Sequence, residues 1–126
     1  MNTALLIHDL QELSLVCSVL VPRKLSFIVI EDVCLPPGWN RSRTRMRIDI
    51  PEDYRLSPPG VGDSSIYLDS GLRYLGRIPN DYHEGHGVGG ERLAWWCYQS
   101  MAWDPRRDNL ITLLERVRAD LSSPEM

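Results

Sequence analysis

The chain has 126 residues, 43% apolar and 25% charged, which suits one soluble globular domain with a core of its own. A net charge of −3 and a pI near 5.5 leave nucleic acid without an electrostatic footprint to bind. No run of about 18 apolar residues occurs, no basic region leads into an apolar N-terminal stretch, and three cysteines make no disulfide framework, so a reducing cytoplasmic setting and no membrane span are expected.

The predicted elements follow in chain order. Leu5, Leu6, Leu10 and Leu13 share one helical face, which predicts a helix over Ala4–Ser14 capped by Asn2 or Thr3. Leu15–Val21 is apolar and rich in valine and reads as a first strand. Pro22-Arg23-Lys24 turns the chain into a second strand over Leu25–Val33. Leu35-Pro36-Pro37-Gly38-Trp39-Asn40 breaks both helix and ladder. Arg43–Ile50 alternates polar with apolar residues, the period of a half-buried strand. Its arginines, with Arg41 before them, read as a solvated sheet face rather than a phosphate track.

Ile50–Val61 is dense in proline and takes an extended path, with Tyr54 and Leu56 as anchors. Ser65–Leu68 is a fourth short strand. Residues 69–90 hold six glycines and read as a long surface loop, a flap. Asp104 before Pro105 is a helix-start signal, and Leu110, Leu113, Leu114, Val117 and Leu121 give the apolar face of a helix over Asp108–Leu121. The expected fold is α+β: a four-stranded antiparallel meander sheet flanked by an N-terminal and a C-terminal helix. Residues 1–121 form the domain, and 122–126 a disordered tail.

Chemistry concentrates around Cys97, which lies between the glycine-rich loop and the Trp103-Asp104-Pro105 run. Positive partial charge at a helix N-terminus, or a histidinium from His83 or His86, would stabilise its thiolate. A catalytic Cys97 calls for a pKa below the free value of about 8.5. Free cysteine is also among the most buried residue types, so a core role is the other reading. His83, Glu84 and His86 lack a further well-spaced ligand and make no metal set. No metal and no cofactor are expected.

Taken together, Ile50-Pro51-Glu52-Asp53-Tyr54, Ser57-Pro58-Pro59-Gly60-Val61, then a long loop, Cys97, and Trp103 before Pro105 resemble the ubiquitin-conjugating enzyme (E2) superfamily. The Leu35–Asn40 run and the Trp-x-Pro-x-x-Asp-x-Leu run over Trp103–Leu110 are most similar to its prokaryotic E2 family E group. The resemblance implies a UBC-like fold and a ubiquitin-like modifier carried as a thioester on Cys97. His86 and His83 would support its pKa or the oxyanion, and Trp103, Asp104 and Tyr54 would be binding residues. The implied partners are a ubiquitin-like protein, an E1-like activating enzyme and a JAB-type peptidase, in an antiphage or stress operon. The alternative is a module of the same fold that binds a ubiquitin-like protein or an E1 noncovalently. The sequence departs from the superfamily in having no His-Pro-Asn before the cysteine and Arg55 after Tyr54 where proline is usual.

Overall fold

The computed structural model describes residues 3–126. The proposed Asn2 cap lies outside them. Helix α1 spans Thr3–Ser14 and α2 spans Leu110–Ser122. The strands are β1 (Val19–Leu20), β2 (Phe27–Cys34), β3 (Arg43–Asp49), β4 (Ile66–Asp69), β5 (Tyr82–Val88) and β6 (Glu91–Trp96).

All six strands form one antiparallel sheet in the order β1-β2-β3-β4-β6-β5. The expected four-strand meander is therefore too small. The two added strands come from residues 69–90 and from the tryptophan-rich stretch after them. Gly89 and Gly90, at φ 57° and 83°, link Val88 to its partner Glu91. Two consecutive positive φ values are what a two-residue hairpin turn needs, and glycine supplies them without a Cβ clash. The end of the predicted flap, from Tyr82 to Gly90, is the first strand and turn of a β-hairpin. By contrast, the first strand shrinks to two residues. Backbone bonds from Leu15 to Glu12 and from Val16 and Cys17 to Leu13 carry turns past α1 and consume the chain that would have paired.

Cross-strand rows show why the sheet has two unlike faces. Ile28, Ile48, Ile66, Trp96 and Tyr82 are successive register partners across five strands, and all are buried. Ile30, Met46, Leu68 and Ala94 make a second buried row. Onto this face pack Leu6, Leu10 and Leu13 of α1 and Leu110, Leu113, Leu114, Val117 and Leu121 of α2. The opposite row runs Val29, Arg47, Tyr67, Trp95, His83 and stays more open. Arg45 on that face is neutralised by Asp69 and Glu91, at 2.8 and 3.0 Å.

Helix α2 starts later than Asp104 or Asp108. Asn109 is its cap: Oδ1 accepts from the N–H groups of Ile111 and Thr112, and the Thr112 hydroxyl accepts from the Asn109 N–H. That reciprocal pair satisfies three otherwise orphaned donors. Asp104 and Pro105 instead form a turn, in which the Asp104 carboxylate accepts from the Arg106 N–H and the Asp108 carboxylate from the Asp104 N–H.

The two proline-bounded segments anchor through Trp39 and Tyr54, whereas Leu56, expected as a second anchor beside Tyr54, is 74% exposed. Trp39 is 8% exposed, stacks edge-on to Tyr74 at 5.4 Å, and donates its indole N–H to the Leu121 carbonyl at 2.8 Å. Gly38, at φ 106°, lies so near the Tyr74 ring that a Cβ would clash at 2.7 Å. Tyr54 is 1% exposed and donates its hydroxyl to the buried Asp9 carboxylate at 2.6 Å. Arg55 forks onto the same carboxylate at 2.7 and 3.0 Å.

Val117→Asp places an unpaired charge where no solvent reaches, so the variant should fail to give a cooperative melt. Trp39→Ala removes a packed indole and leaves the Leu121 carbonyl without its donor. We expect a loss of about 3 kcal/mol, read as a shifted urea midpoint with an unchanged slope.

Candidate functional site

Cys97 sits one residue past β6. Its N–H donates to the Asp81 carbonyl at 2.9 Å, so the β5–β6 ladder continues to this pair. Strand alternation places Cys97 on the face of Trp95, opposite Trp96. Its neighbour Tyr98 turns inward, where its hydroxyl accepts from the Trp96 indole and donates to Asp120 of α2. The aromatic residues on either side thus clamp the end of the strand.

The thiol is half-buried. Burial, and then the negative charge of Asp81, push its pKa up. This reverses the lowered pKa that a catalytic reading calls for. Helix α2 opens only at Leu110, and the titratable neighbour that acts on Cys97 is a carboxylate rather than an imidazolium.

His83 and His86 both belong to β5 and to the more open sheet face. Their rings lie 5.5 and 6.0 Å from Trp95, and His86 also approaches Tyr67 at 6.3 Å. They are therefore members of an aromatic row that leads towards Cys97. Between them Glu84 is occupied. The Gly71 N–H at 2.7 Å and then Arg73 at 2.8 Å hold its carboxyl below the usual range. Among the described residues no three His, Cys, Asp or Glu side chains converge as a metal site.

Trp103 and Tyr54 meet through one residue. The Trp103 indole donates to the Arg55 carbonyl at 2.8 Å, and the Arg55 guanidinium reaches the Pro105 carbonyl at 3.4 Å. Tyr54 presents almost no surface to a partner, whereas Asp104 is exposed in its turn. Cys17 is half-buried, donates to the Leu13 carbonyl and has its pKa raised by burial, while Cys34 is exposed.

The residue that sequence reasoning missed is Asp81. A two-residue turn at Gly89–Gly90 pairs Val88 with Glu91, and counting back from it puts Tyr82 opposite Cys97. A register shift between His83 and His86 moves the partner to Asp81. The Gly-Gly turn was a readable signal; the shift was not.

No helix among the described residues is long and apolar enough to cross a membrane. No curated protein and no solved structure matches the chain. The model of the family described as Prokaryotic E2 family E matches residues 7–123, nearly the whole of it. That span takes in both proline-bounded anchors, the hairpin, Cys97 and the capped helix α2, and on it the chain belongs to prokaryotic E2 family E.

Proposed function

We propose that this chain is an E2-like carrier that accepts a ubiquitin-like modifier from an E1-like enzyme as a thioester on Cys97 and passes it to a target amine. The observation that carries the reading is Cys97 fixed at the end of β6 beside Asp81, partly open to solvent, in a chain of this family. In the loading step the Cys97 thiolate attacks the carbonyl carbon of the modifier–E1 thioester, and the E1 thiolate leaves. In the transfer step an acceptor amine attacks the new thioester, an amide forms, and the Cys97 thiol is regenerated with the proton that the amine gives up.

The raised pKa fits a holder. Burial and Asp81 disfavour the free thiolate, but a thioester sulfur is neutral and escapes that penalty. A thiol whose anion is disfavoured is also a poor leaving group. Cys97 would therefore keep its load until an amine arrives, and the Asp81 carboxylate would attract that amine as its ammonium and relay the proton it gives up to the leaving sulfur. His83 and His86 stand on the same face as candidate oxyanion donors. Trp103 and Asp104, in the segment that follows Cys97, are candidate contacts for the modifier or the E1. The setting we propose is the cytoplasm of a bacterium, in an antiphage or stress operon that also encodes the modifier, the E1 and a JAB-type peptidase.

The same raised pKa favours a second reading, a noncovalent module that docks a ubiquitin-like protein or an E1 without using the thiol. Charging with the E1, ATP and the modifier separates the two. The carrier should give a reductant-sensitive adduct that Cys97→Ser converts to a more stable oxyester and Cys97→Ala abolishes. An adduct that survives Cys97→Ala, or binding of the modifier with no adduct at all, sinks the carrier.

Asp81→Asn gives the sign test. Both causes of the shift raise the pKa, so alkylation of wild-type Cys97 should accelerate with pH through a midpoint above about 8.5. Asp81→Asn should move that midpoint down, speed alkylation at neutral pH, and shorten the lifetime of the loaded thioester in water. An unmoved midpoint would remove Asp81 from the mechanism.

A further inference from the structure

The Leu35–Asn40 run grips the segment between β4 and β5. The Asn40 side chain accepts from the Arg73 N–H at 2.8 Å and donates to the Gly71 carbonyl at 2.9 Å. Its backbone N–H donates to the Arg73 carbonyl at 3.0 Å, and the Leu75 N–H donates to the Gly38 carbonyl at 2.8 Å. With Trp39 edge-on to Tyr74, residues 71–75 are clasped along their length. The chain then turns tightly, as Tyr74 and Arg77 exchange N–H to carbonyl bonds at 2.9 and 3.0 Å.

The tip of this turn is not what the turn alone would choose. Its central residues are Leu75 and Gly76, at φ 51° and 76°. Such a turn favours asparagine first, and leucine at positive φ is strained. Leu75 is also 66% exposed, so core packing does little to offset that strain. Backbone strain kept at a firmly held position points to function. Ile78 adds a second exposed aliphatic side chain, at 54%. Between them Arg77 is exposed and makes no ion pair among the described residues. Glu84 reaches the same loop but is already taken by the Gly71 N–H and Arg73.

We propose that the Leu75–Ile78 tip is a docking anchor for a protein that offers an apolar pocket rimmed by carboxylates, and, resting on the carrier reading, that this protein is the E1-like enzyme. Two aliphatic side chains call for a pocket, and an unpaired arginine between them calls for acid on its rim. An anchor already held in place loses little freedom on binding. Four residues bury little area, which suits a transient contact. On the carrier reading the modifier is held by a bond to Cys97, whereas the E1-like enzyme is met through surfaces and must let go after loading.

The test titrates the Cys97→Ala chain, which binds without loading, into the E1-like enzyme by calorimetry. Leu75→Asn should weaken binding about tenfold or more, the worth of one leucine returned to water. Arg77→Gln should cost about tenfold and flatten the fall of affinity with salt. Asparagine accepts the positive φ, so Leu75→Asn should also raise the urea midpoint at unchanged slope. A leucine kept for the fold alone would not gain stability and lose binding together. Unchanged affinity in both variants, no saturable binding of the E1-like enzyme, or a lowered midpoint in Leu75→Asn would overturn the proposal. So would losses seen with the free modifier instead. Binding that depends on Leu75 and Arg77, when the chain with its thiol never loads, would sink the carrier and leave the tip standing.

Discussion

One buried carboxylate holds three parts of this chain together. Asp9 lies on α1 with almost no exposure, and it accepts from the Tyr54 hydroxyl and from both arms of the Arg55 fork. A charge in such a place is tolerable only when it is paired and hydrogen-bonded. The pairing fixes α1 to the proline-rich segment that follows β3. Arg55 then hands the constraint on, since its carbonyl receives the Trp103 indole and its guanidinium reaches Pro105. The segment after Cys97 is thereby tied to the first helix of the chain. The Tyr54 phenol is correspondingly hard to ionise: burial first, and then the Asp9 hydrogen bond, raise its pKa beyond the ordinary range. The departure from the family's usual Tyr-Pro thus has a local account here, because arginine at position 55 completes the acid it faces.

With the helices committed to one side, the sheet becomes asymmetric. The buried rows fill the space under α1 and α2, and Trp39 seals their edge by capping the end of α2 through Leu121. The opposite face keeps its arginines, aromatic rings and histidines. Cys97 follows Trp95 onto that side through strand alternation, while Tyr98 is pulled inward by Asp120. The position of the thiol is therefore a consequence of how β6 ends, in one residue outward between two held inward.

Much of this was legible in the sequence, for physical reasons that differ by element. The helix faces of Leu6, Leu10, Leu13 and of Leu110 to Leu121 could be read because helical periodicity survives any tertiary context. β3 could be read because polar and apolar residues alternate from Arg45 to Asp49. Trp39 and Tyr54 stood out as large rings within rigid proline-bounded runs. The hairpin did not stand out. Its strand β5 is Tyr-His-Glu-Gly-His-Gly-Val, where glycine and charge mask the strand pattern and only the pairing with β6 makes it regular. The N-cap was misplaced for a related reason. Asp104-Pro105 and Asn109 are both good local starts, and the side-chain bonds of Asn109 and Thr112 decide between them.

The site was the least legible part, because it depends on a single irregularity. A β-bulge places two residues opposite one, and every pairing beyond it moves by one position. The shift between His83 and His86, where Gly85 adopts φ 90°, does this to the lower half of the hairpin. Without it Cys97 would face Tyr82, a buried ring that donates to the Asp69 carbonyl and offers no charge to the thiol. With it the partner is Asp81, and a carboxylate adds its charge to the burial that already pushes the thiol's pKa up. The chemistry available to Cys97 is thus decided at a glycine about a dozen residues upstream. Glycine is the residue that reaches this positive φ without strain, so the conformational freedom of one backbone position and the charge beside the thiol are the same fact about this chain.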